Sequence, residues 1–210
     1  MKIILAILSC HRDREWEQAQ RDTWIKDIPE GIDYAFFLGN PAAVMGPDEV
    51  FLEVPDDSLG LPYKTRALAK WAMAFGYDFV FKCDIDTLLV PENILGSGFE
   101  KHDYLGGQNS FFASGGSGYW LSRKSMAHVA AGNPAGFGPA EDVFVARTLG
   151  NFGIGVEHDP RYRYYPGAVL EESTISYHLS SCKDFTAKYE PSMMYQAYAD
   201  RKSGVYRTYR

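Results

Sequence analysis

Three groups of residues in this chain have the types and spacing to do chemistry. The first is Asp84-Ile85-Asp86, which follows the apolar run Phe79-Val80-Phe81 and precedes Leu88-Leu89-Val90. Two carboxylates two residues apart at the mouth of a buried strand call for a cation. Hard divalent ions such as Mg²⁺ and Mn²⁺ are held by one or two carboxylates while substrate phosphates complete the shell. The alternative is a solvated turn with Asp at both ends, because D-x-D alone is a common pattern. The second group is Glu141-Asp142, just inside a helix opened by Pro139. The positive end of the helix dipole favours carboxylates there, for catalysis or for simple capping. The third is Ser114-Gly115-Gly116-Ser117-Gly118-Tyr119-Trp120. Its glycines allow close approach of a ligand to the backbone and its N–H groups can hold oxygen atoms, or the stretch is a hairpin without function.

Further positions join these. His178 offers an imidazole that can ligate a metal, although a lone His in a strand-like segment is more often structural. Lys64 and Arg66, near a helix start, face either phosphates or solvent. Ser9, His11 and Arg12 follow the first strand, where βα-type sites hold a base or ribose. Trp120 and the Phe111-Phe112 pair offer flat apolar surface to a sugar ring, or pack in a core.

Strands alternating with helical segments must position these groups. Lys2 to Leu8 reads as a buried first strand, too short for a signal peptide core. Trp16, Ala19, Thr23 and Trp24 form one stripe of a helical segment from Asp13 to Ile28, and Tyr34 to Leu38 and Glu49 to Val54 are further strands. Pro62 opens a helix carrying Ala67, Leu68, Trp71, Ala72 and Phe75, which Gly76 ends. Asp78 to Cys83 is a strand running into Asp84, at the sheet edge where open α/β folds bind ligands. Beyond it, short strands are expected at Tyr104 to Leu105, Tyr119 to Leu121 and Ile154 to Val156, with a helix from Ser122 to Ala131. The pattern is α/β, with a largely parallel sheet. The basic, aromatic stretch from Arg201 to Arg210 reads as a terminal helix with a frayed tail, or as the start of a connection to a further domain.

Composition narrows the function. The 210 residues are 46% hydrophobic and 15% aromatic, which suits a folded chain rather than a disordered one. With 21 basic and 27 acidic residues the net charge is −6, so a nucleic-acid partner is not expected. No apolar stretch reaches the length of a membrane span. Three widely spaced cysteines, Cys10, Cys83 and Cys182, suit buried thiols in a reducing, cytoplasmic setting better than a disulfide framework.

Taken in order, six blocks resemble a known family. Gln20-Arg21-Asp22-Thr23-Trp24 is similar to an R-x-T-W block, Phe36-Phe37-Leu38-Gly39 to F-L-L-G, and Asp57-Ser58-Leu59-Gly60-Leu61-Pro62-Tyr63-Lys64-Thr65 to D-S-Y-x-N-L-T-x-K-T. Lys82-Cys83-Asp84-Ile85-Asp86 is similar to K-x-D-D-D, Gly115-Gly116-Ser117-Gly118-Tyr119 to G-G-x-G-Y, and Glu141-Asp142-Val143 to E-D-V. These blocks resemble the GT-A glycosyltransferases of the β-1,3-galactosyltransferase and fringe group, over most of residues 1 to 150. The chain departs from that group at Leu59-Gly60-Leu61 and in having neither a membrane anchor nor paired cysteines. A form without an anchor resembles bacterial or large-DNA-virus enzymes, chlorovirus glycosyltransferases among them.

The resemblance implies a GT-A fold with a mixed, mostly parallel central sheet flanked by helices. It implies one domain over residues 1–210, with a nucleotide-binding half to about residue 90 and an acceptor half beyond. It implies transfer of a hexose, glucose or galactose in type, from a UDP-sugar to a hydroxyl of a glycan or glycoprotein, with inversion and with Mn²⁺ or Mg²⁺ as cofactor. Asp84, Asp86 and His178 would hold the metal. Ser9, His11, Arg12, Lys64, Asp84, Ile85, Asp86, Gly115 and Gly116 would bind the nucleotide sugar. Asp142, with Glu141 second, would be the general base, and Trp120 and Phe112 would meet the acceptor. A nucleotidyltransferase, or a non-catalytic module binding nucleotide or carbohydrate, is the competing reading.

Overall fold

The computed structural model describes residues 1–40, 45–182 and 190–209. Its strands are Ile3–Leu8 (β1), Asp33–Gly39 (β2), Glu49–Leu52 (β3), Phe79–Asp84 (β4), Thr87–Leu89 (β5), Tyr104–Gly106 (β6), Gln108–Asn109 (β7), Phe112–Ala113 (β8), Tyr119–Ser122 (β9), Glu157–His158 (β10), Tyr162–Arg163 (β11) and Ser176–His178 (β12). The helices are Arg14–Asp22 (α1), Leu61–Ala74 (α2), Pro91–Leu95 (α3), Arg123–Ala131 (α4), Glu141–Gly150 (α5), Leu179–Cys182 (α6) and Ser192–Lys202 (α7).

All six residues of β1 are buried. Ile3, Leu5 and Ile7 enter one core, with Trp16 of α1 and Met193, Met194 and Ala197 of α7. Ile4, Ala6 and Leu8 enter the other, with Leu68 and Ala72 of α2, Met126 of α4 and Phe144 of α5. A strand covered on both faces has no water side, so its apolar run needs no polar alternation.

The main sheet has the order β10-β6-β9-β4-β1-β2-β3. β1 is parallel to β2 and β4, β2 to β3, and β10 to β6, while β9 is antiparallel to both β4 and β6. From β1 the chain builds β2 and β3 outward on one side, then places β4 on the other. Strand order therefore reverses between β1 and β4. Their carboxyl ends border the crevice where open α/β sheets take ligands. A second sheet, β11-β12-β5, lies beside that edge.

The helical segment expected from Asp13 to Ile28 is broken in two. α1 stops at Asp22 because the Thr23 hydroxyl donates to the carbonyls of Ala19 (2.6 Å) and Gln20 (3.3 Å), and a 3₁₀ turn, Trp24–Asp27, follows. Such side-chain bonds to the preceding turn compete with the helix ladder. The last strand of the main sheet is Glu157–His158, not Ile154 to Val156. Ile154 instead closes the end of α5, its N–H donating to Leu149 O at 3.1 Å. After α7 the described tail, as far as Tyr209, is tied back to the fold. The Arg207 guanidinium and the Tyr209 hydroxyl both donate to Asp200, and Tyr209 packs on Tyr177. Cys83 is buried and Cys10 only half-buried; both are free thiols. The Cys182 side chain lies outside the described residues.

Candidate functional site

β4 delivers Asp84 to the carboxyl edge of the sheet, and the chain turns through Ile85 and Asp86 into β5. β12 then lies antiparallel on β5 with His178 opposite Thr87, and the Leu179 N–H donates to Asp86 O at 3.1 Å. That pairing puts His178 Nε2 3.2 Å from Asp86 Oδ2. One ligand atom from each of Asp84, Asp86 and His178 lies within 4.8 Å of the other two. The side chains of Asp86 and His178 are 7% and 13% exposed, and that of Asp84 is 32% exposed, open to the cleft.

Burial works against a charged His178, but the carboxylates of Asp86 and Asp84 outweigh it and raise the imidazole pKa above its ordinary value. Its Nδ1 is buried without a hydrogen-bond partner among the described residues. Two carboxylates and an imidazole whose ligand atoms converge in this way fit a divalent ion such as Mn²⁺, for which mixed O and N ligands are suitable.

The glycine turn closes the back of this cluster. A β-carbon on Gly115 would fall 2.3 Å from Glu141 Oε2, and one on Gly116 2.0 Å from His178 Cε1. The positions their β-carbons would take are filled by the protein's own side chains, so packing alone requires glycine at both places.

Glu141, at the first position of α5, is buried against Lys82 Nζ at 2.9 Å and accepts a hydrogen bond of 2.5 Å from the Tyr119 hydroxyl. Burial raises its pKa, an effect only partly countered by Lys82. Lys82 itself is buried, yet Asp84 and Glu141 more than offset its desolvation and keep it charged. Asp142, next along α5, is half-buried, and its Oδ1 accepts from the Val143 N–H at 2.8 Å.

In front of the carboxylates lies a cleft of about 490 Å³, lined by Ser9 to Asp13, Asp56 to Ser58, Leu61, Lys64 and Asp84 to Asp86. Seven expected binding residues, Ser9, His11, Arg12, Lys64, Asp84, Ile85 and Asp86, therefore share one space. Several are already committed. Ser9 Oγ donates to Glu17 at 2.6 Å, its carbonyl accepts from Lys64 at 2.7 Å, and His11 Nε2 sits 3.0 Å from Gly39 O. Arg12, 87% exposed, is open to solvent at the rim.

Asp56, which carried no signal in the sequence beyond lying in a polar turn, organises this wall. It accepts from the N–H groups of His11 (2.8 Å) and Gly39 (2.6 Å) and from Lys64 Nζ (2.9 Å). Burial would raise its pKa, but these donors prevail and hold the carboxyl below its ordinary range.

The two aromatic residues expected at the acceptor separate. Trp120 is 0% exposed and stacks on Phe99 with ring centroids 3.8 Å apart, so it is a core residue with no face for a ligand. Phe112 is half-buried in the β7–β8 hairpin, edge-on to the more exposed Phe111.

No protein-family model matches the chain, and no curated protein matches it. Solved structures do. A glycosyltransferase involved in the glycosylation of the major capsid of PBCV-1 superposes with a TM-score of 0.55 at 10% identity, over 95% of this chain and 100% of its own. The chain has the GT-A glycosyltransferase fold. The apo form of the glycosyltransferase GlyE of Streptococcus pneumoniae TIGR4 superposes with a TM-score of 0.53 at 10% identity, over 100% of this chain. The chain spans 65% of that enzyme's length. Within this GT-A fold the Asp84, Asp86 and His178 cluster stands at the switch between β1 and β4, with the cleft before it and α5 beside it. Among the described residues no helix is long and apolar enough to cross a membrane.

Proposed function

We propose that this chain is a metal-dependent glycosyltransferase that moves a hexose, glucose or galactose in type, from a UDP-sugar to a hydroxyl of a glycan or glycoprotein, with inversion. The observation that carries the reading is the convergence of Asp84, Asp86 and His178 at the mouth of the cleft in a GT-A fold. Asp84, Asp86 and His178 would hold a Mn²⁺ or Mg²⁺, which would supply Lewis-acid stabilisation to the charge on a leaving diphosphate.

In this reading residues 1–210 act as one domain. The nucleotide lies along Ser9, His11, Arg12 and Lys64, and the sugar reaches toward the Gly115-Gly116 turn and α5. The acceptor oxygen attacks the anomeric carbon as the bond to the diphosphate breaks, and its proton passes to a carboxylate. Asp142 has that role. Glu141 is less suited, because its carboxylate is already engaged by Lys82 and Tyr119.

Calorimetry of UDP with and without Mn²⁺, joined to chromatographic detection of UDP released from UDP-glucose and UDP-galactose, tests the reading. Binding and slow release are expected only with Mn²⁺, and Asp86→Ala should abolish both. Absence of metal-dependent UDP binding by the unaltered protein would sink it. Pyrophosphate release from a nucleoside triphosphate would favour the nucleotidyltransferase alternative.

A further inference from the structure

Lys82 is a buried ammonium for which no catalytic step has a use. Lysine is almost never fully buried unless paired. Here all three of its N–H bonds are taken: by Asp84 Oδ1 at 2.8 Å, Glu141 Oε1 at 2.9 Å and Gly115 O at 3.1 Å.

Those acceptors belong to three segments that are remote in sequence, and each segment carries one part of the site. The end of β4 carries Asp84. The glycine turn carries Gly116, which lies against the His178 ring. The start of α5 carries Asp142 beside Glu141. We propose that Lys82 is a positioning residue that ties the Asp84 carboxylate, the wall behind His178 and the first turn of α5 into one rigid unit. It thereby sets the distance between the metal-holding residues and the base.

The inference rests on the glycosyltransferase reading for the roles of Asp84 and Asp142; the contacts of Lys82 do not depend on it. Charge balance alone does not require this arrangement. Neutralising a carboxylate takes one contact, whereas three acceptors around one nitrogen fix three segments at once. A buried ion pair gains little over apolar packing in stability, so stability alone does not account for Lys82.

Lys82→Met alone leaves the buried Glu141 carboxylate without its cation and threatens folding. The deciding protein is therefore the charge-balanced double variant Lys82→Met with Glu141→Gln, compared with Glu141→Gln alone. Three quantities are read: thermal midpoint, Mn²⁺ affinity by electron paramagnetic resonance in the presence of UDP, and turnover of UDP-sugar. The expected result is a midpoint close to that of the control, Mn²⁺ affinity about 10-fold weaker and turnover about 10- to 100-fold lower, the range typical of residues that orient metal ligands.

Mn²⁺ affinity and turnover equal to the control would overturn the proposal and leave Lys82 a plain counter-ion. If the double variant does not fold, Lys82→Arg carries the test. It keeps the charge but cannot present three N–H bonds from one point. Wild-type values in that variant would overturn the proposal, and weakened metal binding with an unchanged midpoint would support it. An unaltered protein that binds no Mn²⁺ with UDP overturns the glycosyltransferase reading itself, and this inference with it.

Discussion

A β-carbon at position 116 would stand 2.0 Å from Cε1 of His178. The missing side chain of Gly116 is therefore what lets the imidazole lie beside Asp86. Gly116→Ala should push the ring away, weakening Mn²⁺ binding in the presence of UDP by about 10-fold or more. The same crowding should cost about 1–3 kcal/mol of stability, readable from urea midpoints. Unchanged Mn²⁺ affinity would show that His178 takes no part in holding the ion.

Asp142 and Glu141 are neighbours with opposite surroundings. Asp142→Asn should lower glycosyl transfer by about 10²- to 10⁴-fold, the usual contribution of a general base, while leaving Mn²⁺-dependent UDP binding intact. Glu141→Gln should lower the thermal midpoint, because Lys82 loses one of its buried charge partners. Steady-state transfer assays and melting curves on the two variants separate these effects. Full transfer activity in Asp142→Asn would remove it as the base.

Acid should loosen the cleft wall through Asp56. Its pKa in the folded protein is depressed, as backbone and Lys64 donors overcome the effect of burial. A carboxyl with a depressed folded pKa contributes stability above its unfolded pKa, and that contribution is lost as pH falls through the folded value. Urea midpoints from about pH 2 to pH 7 should show Asp56→Asn less stable than the unaltered protein near neutrality, with the gap closing in acid. A gap that stays constant with pH would contradict this assignment.

Trp120 should behave as core. Trp120→Ala is expected to cost about 3–5 kcal/mol, while Trp120→Phe should keep most stability and leave the acceptor KM unchanged. A raised acceptor KM in a well-folded Trp120→Phe would restore the ligand-facing role that its burial argues against.

Much of the fold was legible along the chain because its signals are local. β1 is an unbroken apolar run, α2 has proline in its first turn and Gly76 just past its end, and β4 leads into two carboxylates at a strand terminus. Hydrophobic period and turn residues report what a segment does against its immediate surroundings. They misjudged the segment after Asp22, where a Thr23 hydroxyl bonded back to the previous turn, and they put the strand after α5 a few residues early.

The sequence alone also determined the inventory of the site: Asp84 and Asp86 at a strand end, glycines with no β-carbon, acids in the first turn of α5, and a histidine of unsettled role. Which of these meet was decided in three dimensions. His178 reaches Asp86 only because β12 pairs with β5, and strand register between distant segments leaves no mark in local spacing. The faces of β9 were equally hidden, since a strand with all four residues buried does not say that Trp120 meets Phe99. Lys82 was visible as one letter of a block. Its three acceptors come from segments that share nothing but a place in the interior, and there an ammonium out of reach of water must take its partners from the fold.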